Sequence, residues 1–477
     1  MKFTFFRFIL LFAVIAFFSS CLNSSDSTTV SSNPSFSSLV FKANDSIPYL
    51  SSAKFTLSDY DVLLKDSIII NVDSLPFKTR IDSVYPTFSF KSSAGAKLYF
   101  PLIGYKYKKD SAWITGTDTV DFRQPVRVRN FATDGIAHRD YIVKTNVHRV
   151  DPEMYVWGKV SDDMSSVNAK YQKAIAIGDN LYYYQNDGSN SYLYTSADGF
   201  SWKAQSVTGL PVNTPLNDMI QFNGQIFVSR SGTNLYASSD GLSWGQKTIT
   251  KSDDFTFQSL LFVLNSQLWA VVLANDNTYH FAISNDGATW NMTKGTIPDN
   301  FPVSDFAAVS FSQPTGKAKA VVLSGISANG TPLNNRWSTE DGVYWVDFSV
   351  ENHTLDTLAL GVSVISYDRK LLAFGKRTDN GKTYYKVSKD DGLSWGNGDS
   401  VRNVLPEALK ATPRSYSSMV VFKPKAYSTS ESKTDIQGSN RIFIVGGKSG
   451  STVYSDVWTG KVNRKNFLLQ STSQYYY

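Results

Sequence analysis

The phrase S-x-D-G-x-x-W, in two copies with one more residue after the serine, returns five times past residue 195, and recurrence at a near-constant spacing limits the folds open to a chain more than any other feature. The copies are SADGFSW from Ser196, SSDGLSW from Ser238, SNDGATW from Ser284, STEDGVYW from Ser338 and SKDDGLSW from Ser388, and YSDVW at residues 454–458 keeps part of the phrase. Their tryptophans, Trp202, Trp244, Trp290, Trp345, Trp395 and Trp458, stand 42, 46, 55, 50 and 63 residues apart. Ahead of each lie short apolar runs broken by tight turns, as in KAIAIGDNLYYYQ, DMIQFNGQIFVSR and SLLFVLNSQLWAVVLA. Four short strands per period of this length are one blade of a β-propeller. Six tryptophans predict six blades, over residues 153–477.

Within each copy the residue types suit a strand-to-strand turn. Asp198, Asp240, Asp286, Asp341 and Asp391 are expected to accept backbone N–H groups of the turn, as short carboxylates do. The glycines that follow suit a positive φ, and Trp202, Trp244, Trp290, Trp345 and Trp395 are expected to bury their rings in or between blades. A catalytic residue is needed once and a fold residue in every blade, so repetition makes these aspartates structural. The phrase resembles the Asp box of sialidases and other propellers, with the copies at Ser338 and Ser388 at full length. The glycine pair and D-x-W of RIFIVGGKSGSTVYSDVW resemble a kelch repeat.

Residues 36–152 read differently. Runs such as SIIINVD, TFSFKSS and PVRVRNFA alternate β-branched or aromatic residues with polar ones between Asp, Ser, Gly and Pro, predicting five to seven strands of an immunoglobulin-like sandwich. The whole chain is therefore expected to be all-β. The segments DSLPFKTRIDSVYPTFSF and DTVDFRQPVRVRNFATDGIAHRDYIVKTNVHRVDPE resemble the N-terminal domain of a family of Bacteroidetes envelope lipoproteins of unknown function. That resemblance implies the same two-domain layout and an envelope location, and no activity.

The first residues carry Lys2 and Arg7, an apolar run over 8–18, then Ser19, Ser20 and the single cysteine, Cys21. This reads as a signal peptide over residues 1–20. Small residues before a cysteine resemble a lipobox, which implies acylation of Cys21 and a membrane anchor. The Ser/Thr/Asn-rich residues 21–35 read as a flexible tether. One cysteine excludes an internal disulfide and a thiolate metal site. Without Lys2 and Arg7 the 47 basic residues fall to 45 against 41 acidic, a balance of +4 that does not suggest nucleic acid.

No catalytic residue, metal or cofactor is assigned. His138, His148, His280 and His353 fall in no metal-ligand spacing. Sialidase chemistry needs three arginines, the first early in the propeller, and none occurs between Arg149 and Arg230. Two readings remain besides that lesser one: a non-catalytic lipoprotein that binds a glycan through its propeller, or a scaffold for another envelope protein. Outer-membrane placement is expected, facing either the periplasm or the surface. An exposed tryptophan outside the repeats, Trp269 or Trp337, would favour the glycan.

Overall fold

The computed structural model describes residues 30–43, 45–61, 66–99, 102–103, 106–107, 111–113, 119–148, 151–230, 234–349, 360–399, 401–424 and 439–463. Cys21, the signal segment and most of the tether lie outside these residues. Among the described residues the regular structure is strand apart from a 3-10 turn, Pro48–Ser52, and one helical turn, Glu407–Lys410, and the chain divides into two compact units, Met1–Asp151 and Pro152–Tyr477.

In the first unit a six-stranded sheet runs Phe55–Asp61, Asp66–Asn71, His138–Lys144, Val126–Phe131, Gly95–Tyr99, Ser111–Trp113. All its pairs are antiparallel except Asp66–Asn71 beside His138–Lys144. A second sheet pairs Phe36–Phe41 with Pro86–Phe90. Alternation decides which residues meet: in Val126–Phe131 every second side chain is buried, so Val126 and Val128 join Ile69, Tyr141 and Val143 against Phe36, Leu39 and Phe41 of the other sheet. The Tyr141 hydroxyl joins the layers by accepting from the Phe36 N–H at 2.8 Å and donating to the Pro34 carbonyl at 3.2 Å.

The second unit holds six sheets, one per blade. The innermost strands are Tyr171–Ile177, Ile220–Phe222, Phe255–Leu264, Ala307–Ser312, Ser363–Tyr367 and Ser418–Phe422. Among the described residues three further strands follow outward in blades 1, 2 and 4, four in blade 3 and two in blade 5. Blade 6 mixes both ends of the unit: its outermost strand is Tyr155–Ser161, antiparallel to Thr452–Val462, which continues through Arg441–Ser449 to Ser418–Phe422. The ring thus closes by hydrogen bonds between segments about 300 residues apart, and Trp157 covers the Gly460 backbone so closely that a Cβ there would fall 2.5 Å from its ring.

Blade-to-blade packing is apolar and continuous. Phe222, Phe227 and Leu235 of blade 2 share a core with Phe257, Leu268 and Trp290 of blade 3. Leu261, Trp269 and Phe281 of blade 3 do the same with Val322 and Trp337 of blade 4. Trp269 and Trp337 are 2% and 6% exposed, so neither offers a ring to a ligand.

Candidate ligand site at the channel mouth

The repeat residues do not converge on a site; each set ties its own turn. In the first copy the Ser196 hydroxyl accepts from Gly199 N–H at 2.8 Å, and Asp198 Oδ1 accepts from Phe200 and Ser201 N–H, both at 2.7 Å. Asp240 and Asp286 bind their turns in the same way. In the fourth copy Thr339, not Ser338, takes the serine's place, and Asp341 accepts from Val343 and Tyr344. In the fifth copy the expected Asp391 is replaced by Asp390, which accepts from Ser394 N–H at 2.9 Å. Asp391 is an inserted residue at φ +56° whose carboxylate instead receives the Gln313 side chain at 3.1 Å. The extra residue lengthens the turn by one, so the aspartate next to the glycine is no longer the one that faces the N–H groups.

Trp202, Trp290, Trp345 and Trp395 each return an indole N–H to the carbonyl of their own turn glycine. At Trp244 the Tyr184 hydroxyl takes that carbonyl, on Gly241, at 2.7 Å, and packs edge-on against the indole. The turn glycines also abut the preceding blade: Gly199 faces Phe443, Gly241 Tyr182, Gly287 Phe227, Gly342 Trp269 and Gly392 Val321. Each repeat therefore sets both a turn and a blade interface.

The turn carboxylates carry a pH signature. Backbone N–H groups of Thr289 and Ala288 pull Asp286 down to about 2 from its ordinary 3.8. A depressed carboxylate stabilises the fold above its unfolded pKa, and that contribution disappears as pH falls through the folded value. Asp286→Asn is therefore expected to lower the melting temperature at pH 7 and to lose most of its effect near pH 2. An equal effect at both pH values would refute the carboxylate's role.

First and third strands of a blade run in the same direction, so the repeat turns lie at the face opposite to where the innermost strands begin. At the other face, where the innermost strands begin, a cavity of about 190 Å³ opens, lined from all six blades, with Lys173, Asp218, Ser259, Asp305, Ser363 and Tyr416 among its walls. A smaller group of residues, Lys170, Tyr171, Asn217, Asp305, Tyr416 and Lys448, lines an adjoining cavity of about 200 Å³.

The polar lining follows from how a propeller is built: innermost strands do not form ladders with one another, so side chains must satisfy the backbone facing the channel. Asp218 accepts from Leu260 N–H of blade 3 at 3.0 Å, Ser259 donates to the Val303 carbonyl at 2.7 Å, Ser363 accepts from Met419 N–H at 2.9 Å, and Ser418 accepts from Ala174 N–H at 2.8 Å. Lys173 donates to the Asn217 carbonyl at 3.1 Å, and the Asn217 amide reaches Asp305 at 2.7 Å.

Charge is held there at a cost. Burial pushes Asp218 up to about 6, against hydrogen bonds from Ser229 and Leu260 and the charge of Lys173. Burial pulls the Lys173 ammonium below its usual value, with Asp218 opposing. Asp218 Oδ1 and Gln172 Nε2 have no protein partner. Burial also raises the Tyr416 phenol to about 12, with Asp305 adding to it.

Asp305, Gly361 and Tyr416 share a left-handed backbone, φ +51°, +63° and +58°, each two residues before its innermost strand. For Asp and Tyr this conformation is strained, and strain of this kind gathers at functional sites. At the rim Lys448 Nζ stands 4.9 Å from the Tyr416 ring and Lys170 Nζ 5.2 Å from the Tyr171 ring. None of these residues belongs to a repeated phrase.

A six-bladed propeller with a polar cavity at its channel mouth, joined to an N-terminal β-domain, is the class of protein that this fold and site define. The chain belongs to the DUF6242 family: residues 151–470 match the DUF6242 beta propeller domain and residues 23–145 the N-terminal domain of unknown function of the same name. Among solved structures it is similar to YjhT, at 11% identity and TM-score 0.42 over 62% of this chain and 96% of that one. It is also similar to a protein of unknown function from Dyadobacter fermentans, at 14% and 0.40 over 64% and 99%. A Trypanosoma rangeli sialidase in complex with 2,3-difluorosialic acid aligns at 11% and 0.37 over 61% and 54%. No curated protein matches the sequence.

Proposed function

We propose that this protein is a non-catalytic envelope lipoprotein, anchored through Cys21 at the outer membrane, whose propeller binds a glycan at the channel mouth. One observation carries the reading: side chains from all six blades meet in a single polar cavity in which donors and acceptors are mixed. Sugar hydroxyls both donate and accept, so a lining of Asp, Asn, Gln, Lys, Ser and Tyr suits them. Lys170 and Lys448 at the rim favour a sugar that carries a carboxylate or sulfate. With Trp269 and Trp337 buried, ring stacking falls to Tyr171 and Tyr416. Among the described residues no arginine or glutamate lines either cavity, which does not favour sialidase-like hydrolysis. The anchor rests on the lipobox-like residues before Cys21, and the repeat turns support reading the copies as Asp boxes.

The test is binding of residues 22–477 to an immobilised panel of neutral and acidic glycans. Saturable binding to one class, strongest for an acidic member, is expected. Silence across the panel would reject the glycan and leave a scaffold for an envelope protein as the reading, to be pursued by crosslinking in cells.

A further inference from the structure

Blade 5 breaks the pattern of the ring. Its sheet stops at the third strand, Thr383–Ser388, whose outer edge makes one bridge, Val387 to Gly396, with both hydrogen bonds formed at 2.8 and 3.0 Å. Residues 397–399 and 401–413 then leave the sheet and carry a single helical turn, Glu407–Lys410, instead of running back as a fourth strand. Where that strand lies in other blades, a cavity of about 620 Å³ remains, within the size range of small-molecule sites.

Its lining is chemically one-sided. Leu405, Ala411 and Pro413 supply apolar wall. Tyr385 and Asn403 also line it, and the Tyr385 hydroxyl and Asn403 Nδ2 are buried with no hydrogen-bond partner. Such groups cost free energy unless something completes them. The charged residues sort by what already occupies them. Asp399 is used by the N–H groups of Val401 and Arg402, at 2.8 and 2.9 Å. Lys410 is paired with Glu407 at 2.6 Å. Lys382, in the same lining, has no ion pair among the described residues. The unfilled capacity is therefore three donors, a phenol, an amide N–H and an ammonium, beside an apolar wall.

We infer that the blade 5 cavity is a second ligand site, independent of the channel mouth, for an organic acid with an apolar body: its carboxylate would accept from Tyr385, Asn403 and Lys382. A hydrogen bond to a charged group and the Lys382 charge select the acid over a neutral analogue of the same shape.

The test uses 2-naphthoate as probe, with 2-naphthalenemethanol as the neutral analogue, titrated by calorimetry into residues 22–477, which keep both units whole. One-to-one saturable binding of the acid is expected, at least tenfold tighter than the alcohol. Tyr385→Phe, which keeps the ring, should weaken the acid about tenfold, in line with one hydrogen bond to a charge, and Ala411→Trp should abolish binding by filling the space. If Ala411→Trp does not fold, the Tyr385→Phe and Lys382→Met titrations decide alone. No saturable binding of the acid at millimolar concentration, equal affinity for acid and alcohol, or unchanged affinity in the Tyr385→Phe variant would each overturn the inference. Glycan binding would be unaffected by any of these results.

Discussion

Asp456→Ala should destabilise the propeller by about 3–5 kcal/mol, the usual loss when one member of a buried ion pair is removed. Arg414 and Asp456 face each other inside blade 6 with side-chain exposures of 1% and 7%. The guanidinium also donates to the carbonyls of Thr412 and Gly446 and to the Thr412 hydroxyl, and lies 3.8 Å from the Tyr454 ring centre. Asp456 in turn accepts the Trp458 indole N–H at 2.9 Å. Alanine at 456 would leave an arginine charge in the interior and an indole N–H without its acceptor. Replacing both partners with apolar residues, as in Arg414→Met with Asp456→Leu, leaves no unpaired charge and should cost clearly less than the single change. Thermal unfolding of the three proteins makes the comparison. A single variant no worse than the double would show that the pair does not hold blade 6 together.

The second large effect concerns a repeat glycine. Gly342→Ala is expected to cost about 2–4 kcal/mol, combining a side chain forced into positive φ with overpacking. Gly342 has φ +80°, and a Cβ would stand 2.3 Å from the Trp269 ring of the preceding blade. Gly330 separates the two causes: its φ is +81°, with nothing within 4 Å of the added atom. Gly330→Ala should therefore cost only about 1 kcal/mol. Equal losses in urea denaturation would mean that blade contact adds nothing and that the glycine serves its own turn alone.

These contrasts also show how far the sequence could be read. The propeller and its blade number were legible because each repeat acts over seven residues of chain, and a pattern so local survives in the sequence. The same locality explains the error at Asp391: one inserted residue moves the turn-binding carboxylate to Asp390, and only the backbone shows which of two adjacent aspartates faces the N–H groups. Ring closure was not legible, because Tyr155–Ser161 and Thr452–Val462 meet across almost the whole propeller and each reads as an ordinary strand. The channel mouth was hidden for a related reason. Lys173, Asp218, Asp305 and Tyr416 come from four blades and share no phrase, and the burial that lowers the Lys173 pKa and raises those of Asp218 and Tyr416 exists only in the folded ring. The short sheet of blade 5 left a trace only as the 63-residue interval before Trp458, which the polar stretch KPKAYSTSESKTDIQGSN within it accounts for as readily.

The central claim is that a glycan seats where the six innermost strands begin. Hydrogen exchange of residues 22–477, measured with and without the panel glycans, tests it most directly. Slowed exchange in peptides covering residues 170–173, 217–220, 305–308 and 416–419, with the rest unchanged, is the predicted result. Protection confined to residues 30–148, or no protection with any glycan, would contradict it.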